Sequence, residues 1–94
     1  MKLLWTRAAI RDLESIEDYI SRDNPVAAVD TVNKIERHVG LLVRHPGLGR
    51  PGRIKGTREL VISGLPYVVA YHRKGETVTV LRVMHGAMNW HGQF

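Results

Sequence analysis

Residues 67–84 read YVVAYHRKGETVTVLRVM. β-Branched and aromatic side chains fill both arms of this stretch, and Lys74-Gly75-Glu76 interrupts them. Such side chains suit a pleated surface, and a glycine-centred break between two runs of them is the mark of a tight hairpin. The stretch therefore predicts two antiparallel strands, Tyr67–Arg73 and Thr77–Met84. Strict alternation along the second would put Val78, Val80, Arg82 and Met84 on one face and Leu81, Val83 and His85 on the other. Apolar residues on both faces mark a central strand, covered from two sides.

Moving towards the N-terminus, Gly64-Leu65-Pro66 reads as a turn and Arg58–Ile62 as a third strand. Further upstream the apolar period lengthens from two residues to about 3.6, the helical value. Ala28, Val32, Ile35, Val39 and Leu42 form one stripe, and Ala9, Leu13, Ile16 and Ile20 another. Asn24-Pro25 opens the later helix, with an acceptor side chain at the cap and a proline where no N–H is required. Thr6 caps the earlier one. The short linker around Ser21–Asn24 makes the two an antiparallel helical hairpin. KLLW, residues 2–5, supplies a fourth strand. The order β-α-α-β-β-β predicts an α+β fold: a helical hairpin packed on one face of a mainly antiparallel four-stranded sheet. The opposite sheet face is left to solvent, loops or a partner.

With 94 residues the chain is read as one domain, 1–94. An apolar share of 44% and a charged share of 24% are those of an ordinary globule. There is no cysteine, which excludes disulfides and thiolate metal sites. The five histidines are scattered without ligand spacing, so no metal and no cofactor is expected. The polar, early-acidic start is unlike a signal peptide, no apolar run is long enough for a membrane helix, and a cytoplasmic location is expected.

Charge is divided unevenly. Residues 1–43 hold six Lys/Arg against seven Asp/Glu, whereas residues 44–94 hold eight against two. The basic half opens with RHPGLGRPGRIKGTR, residues 44–58, in which Arg50, Arg53, Lys55 and Arg58 stand among four glycines and two prolines. Such a loop suits an anionic partner, a nucleic acid or an acidic protein surface, approached closely through its glycines. It also serves as the connector from helices to sheet.

The combination of GRPGR, GTREL, LPYVVAYHRKGE and LRVMHG in this element order resembles the ParE branch of the RelE/ParE superfamily of bacterial type II toxins. The resemblance spans Trp5 to about Trp90. It implies a toxin of growth arrest and plasmid maintenance, silenced as a hetero-oligomer by a cognate antitoxin whose N-terminal half binds DNA. In the ParE branch the target is DNA gyrase, with DNA contacted indirectly, and no catalytic residue is expected. The partner-binding residues would then be Arg50, Arg53, Lys55 and Arg58 in the loop and Met88 and Trp90 in the C-terminal tail, with Met84 beside them. Tyr67 and Tyr71, spaced by four on one strand face, would be core or antitoxin contacts. The alternative branch consists of ribosome-dependent endoribonucleases that cut messenger RNA. That chemistry needs a base, an acid and cations for the phosphorane charge. His85 would be the acid or base, with Arg82 and Arg58 stabilising charge, although the phase of His85 with Leu81 and Val83 predicts a half-buried ring.

Overall fold

The computed structural model describes residues 1–87. Its elements are β1 (Lys2–Trp5), α1 (Arg7–Ser21), α2 (Pro25–Gly40) with a 3-10 turn at Leu41–Val43, β2 (Arg50–Pro51), β3 (Arg58–Val61), β4 (Tyr67–Lys74) and β5 (Thr77–His85). Both helices start as the caps require. Thr6 Oγ1 accepts from Ala9 N–H at 3.0 Å, and Asn24 Oδ1 from Ala27 N–H at 3.0 Å. Pro25 occupies the first position of α2.

The strands form one sheet in the order β1-β5-β4-β3-β2. β1 runs parallel to β5 and the other three pairs are antiparallel. The sheet thus has five strands rather than four. The additional one is the Arg50–Pro51 pair inside the basic loop, and its proline is tolerated because β2 lies at the sheet edge. The β4–β5 turn places Gly75 at φ 58°, a value L side chains rarely adopt, which matches a two-residue hairpin with glycine first.

The helical hairpin covers one sheet face. Ala9, Ile16, Ile35, Val39 and Leu42 from the helical segment meet Leu60, Ile62, Val69, Tyr71, Val78, Val80 and Val83 from the sheet. Ile35 and Leu42 are fully buried, and each such side chain contributes about 2 kcal/mol of hydrophobic stabilisation. Trp5, Leu13 and Ile20 pack around the margin. A smaller cluster, Val68, Ala70 and Met84, lies apart from this core.

Strict alternation along β5 does not hold. Tyr71 pairs with Val80 and Ala70 with Arg82, so Leu81 has no opposite residue. This bulge resets the phase. Val78, Val80 and Val83 therefore share the helix-side core, while Met84 joins Val68 and Ala70 instead. Met84 is only 2% exposed and is a core residue rather than a contact group.

Candidate functional site

β1 pairs with residues 77–80 of β5 and reaches no further. Beyond it α1 takes over the flank of β5. Thr6 N–H donates to Val80 C=O at 3.0 Å, and Thr6 Oγ1 donates to Leu81 C=O at 2.8 Å. Asp12 then accepts from Val83 N–H at 2.9 Å and from Arg82 twice, Nε to Oδ2 at 2.7 Å and Nη2 to Oδ1 at 2.9 Å. The Asp12 carboxylate, through these bonds, holds the Arg82 guanidinium above its ordinary pKa against the opposing effect of burial. Both side chains are largely buried, so this two-point pair is a fixed part of the fold.

A groove of about 470 Å³ runs beside this junction. Ile16 and Tyr19 of α1 line one side, and Tyr67, Val83 and His85 the other. His85 is exposed, contrary to the half-buried ring that strict alternation implied. It remains in phase with the buried Val83 but is the last residue of β5, at the open end of the strand. The His85 ring meets Tyr67 edge-on, with centroids 6.1 Å apart and planes at 80°. His85 Nδ1 accepts from Ala87 N–H at 3.1 Å, so in the neutral ring Nε2 carries the proton. Burial, and secondarily the neighbouring Tyr19, push the Tyr67 phenol above its ordinary pKa. At neutral pH Tyr67 is therefore a donor and not a base.

Tyr71 has a different fate. It is fully buried, and its hydroxyl accepts from Gly49 N–H and donates to Pro46 C=O, both at 2.8 Å. A Cβ at Gly49 would lie 2.7 Å from that hydroxyl, so only glycine fits there. The expected antitoxin contact at Tyr71 is thus corrected: the ring ties the basic loop to the core and presents no surface.

Glu59 organises the rest of the loop. It is 2% exposed, and it accepts from Arg53 N–H at 2.8 Å and from Arg50 Nη2 at 3.1 Å, with Arg53 Nε at 3.4 Å. Arg53 Nη2 also reaches Gly86 C=O at 3.5 Å, which brings the loop next to the His85 end of β5. Arg58 Nη1 donates to Gly49 C=O at 2.7 Å. Lys55 is exposed near the loop tip, between Ile54 and Gly56. The four loop cations are consequently not equivalent. Arg50 and Arg53 are ion-paired to a buried carboxylate, Arg58 is bonded to backbone, and Lys55 projects from the surface. Met88 and Trp90 lie outside the described residues.

Three contributors were not apparent in the sequence. Asp12 and Tyr19 sit off the apolar stripe of α1 and look like ordinary solvated residues. Glu59 did carry a signal, as one of two acids in the basic half. Its partners are Arg50 and Arg53.

Residues 3–90 match the family described as ParE toxin of type II toxin-antitoxin system, parDE. The chain is 44% identical to a putative toxin, Y4kP, of Sinorhizobium fredii, over 95% of this chain and 92% of that one. It is 33% identical to toxin RelE2 of Caulobacter vibrioides, over 92% and 96% of the two chains. Among solved structures it resembles a chain of the chromosomal ParDE system from P. aeruginosa, at TM-score 0.82 and 34% identity, covering 90% of this chain and 95% of that one. A chain of the RelBE2 toxin–antitoxin complex from Mycobacterium tuberculosis matches at TM-score 0.61 and 26% identity, over 89% and 88%. The fold and its flank-capping helix thus define a small α+β toxin of the RelE/ParE type. Within that class, the chain belongs to the ParE toxin family of type II toxin–antitoxin systems.

Proposed function

We propose that this toxin acts by binding, with DNA gyrase as its target and a cognate antitoxin as its inhibitor. The observation that carries the reading is the state of the cations. A ribonuclease needs positive charge free to meet a developing phosphorane. Here Arg82 is held by Asp12 in two bonds, and Arg50 and Arg53 converge on Glu59. Lys55 and the outer faces of the loop arginines form the gyrase contact, together with the C-terminal Met88 and Trp90. Tyr67 and the groove beside α1 receive the antitoxin, whose N-terminal half binds DNA, in a hetero-oligomer.

One observation favours the second reading, a ribosome-dependent messenger endoribonuclease. His85 is exposed and has the protonated phenol of Tyr67 against it, which is an acid beside a possible base. A supercoiling and cleavage assay with purified gyrase decides between them. Blocked supercoiling or accumulated cleaved DNA is the expected result, and His85→Gln should keep it. Unaffected gyrase, with messenger cleavage on ribosomes that His85→Gln abolishes, would replace the first reading by the second.

A further inference from the structure

β4 carries His85's neighbour Tyr67 at one end and His72 and Arg73 near the other. Around those last two residues lies a cavity of about 220 Å³, closed by Pro46, Gly47, Gly56 and Arg58 from the loop. Its polar side chains are a histidine and two arginines, and no carboxylate of the described residues lines it. Glu76 is the nearby acid; it is exposed, 3.9 Å from Arg73 Nη2, and outside the lining. Arg58 uses Nη1 on Gly49 C=O, and Arg73 uses Nε on Gly75 C=O. A guanidinium has five N–H donors, so each keeps others for an anion. His72 Nδ1 is buried and has no hydrogen-bond partner among the described residues. A buried polar atom without a partner calls for one, and an anion between two guanidinium groups would supply it. Gly47 and Gly56 border open space, since a Cβ at either would meet nothing within 4 Å.

We propose that this cavity binds a phosphate group, of the kind a nucleic-acid backbone presents. Its volume admits one phosphate, planar guanidinium forks match phosphate oxygens, and the surrounding half of the chain is basic. The site lies apart from the His85 groove, and the inference holds whether or not gyrase is the target. It gives the toxin itself a direct grip on nucleic acid.

The test is NMR of the histidine rings of the intact chain, titrated with inorganic phosphate at constant ionic strength, with chloride as control. A short DNA duplex is titrated separately. Saturable movement of the His72 ring signals with phosphate, absent with chloride, is expected. The duplex should move the same signals at lower concentration. Arg73→Gln, an exposed change that leaves the core untouched, should weaken both titrations about fivefold. It should also lower the salt slope of duplex binding by about one. Phosphate binding without duplex binding upholds the site and overturns the backbone as its source. Unmoved His72 signals, equal movement with chloride, or unchanged affinity in the folded Arg73→Gln variant overturns the proposal.

Discussion

Glu59 is a buried carboxylate in the basic half of a basic protein, and its energetics can be read from its surroundings. Burial alone would raise its pKa. The Arg53 amide, the Arg50 guanidinium and the charges of both arginines together outweigh burial and hold it below the ordinary 4.5. A folded-state value below the unfolded one means that the stabilisation is complete above pH 4.5 and is lost as pH falls through the folded value. Glu59→Gln should therefore cost about 2 kcal/mol at neutral pH and less in acid, where the wild type has lost the same charge. Urea denaturation at a series of pH values measures this; parallel wild-type and variant curves down to the acid limit would contradict it. Tyr71→Phe removes both hydroxyl bonds from a fully buried site and leaves Gly49 N–H and Pro46 C=O without their partner. A loss of about 2 kcal/mol is expected in the same assay, and an unchanged midpoint would show that the loop is held without it.

At the scale of elements, α1 behaves partly as a substitute strand. Asp12 supplies the acceptor that a neighbouring strand would offer Val83, and its second oxygen engages the adjacent arginine. Asp12→Ala should cost about 3 kcal/mol, because it takes the carboxylate away from a largely buried guanidinium and leaves a strand amide uncapped. Arg82→Ala should cost less, since Asp12 keeps the Val83 amide. The double variant should cost less than the two singles combined, by about 1 kcal/mol or more. A thermodynamic cycle in urea tests this, and strict additivity would mean that the two side chains do not stabilise each other. The same junction shows what the sequence could disclose. Helices, caps, the hairpin and the long strands were legible because they rest on local periodicity and on Thr6, Asn24, Pro25 and Gly75. The bulge at Leu81 was not, because one extra residue looks the same in sequence as an unbroken run of alternation. The Asp12–Arg82 pair joins residues 70 apart, and nothing local announces it. The two-residue strand at Arg50–Pro51 exists only because β3 passes beside it.

For the molecule as a whole, the uneven charge has two separable consequences. Part of the positive charge in residues 50–58 closes the fold around Glu59, and part of it faces outward. Composition could locate this charge but not divide it, since all four cations look alike in a loop of glycines and prolines. The division predicts opposite behaviour for two neighbouring substitutions. Arg53→Ala removes an ion pair with a 2% exposed carboxylate and a bond to Gly86, so it should lower Tm by about 5 °C. Any loss of toxicity in that variant would then be mixed with a loss of folded protein. Lys55→Ala touches only the surface and should leave Tm within about 1 °C. If the loop grips a partner, Lys55→Ala should nevertheless weaken growth arrest in cells and raise the toxin concentration needed to inhibit gyrase. Combining it with the salt dependence of inhibition separates steering from folding, because a surface cation acts more strongly at low ionic strength than at high. A Lys55→Ala toxin with wild-type potency at every salt concentration would confine the loop's charge to holding the sheet together.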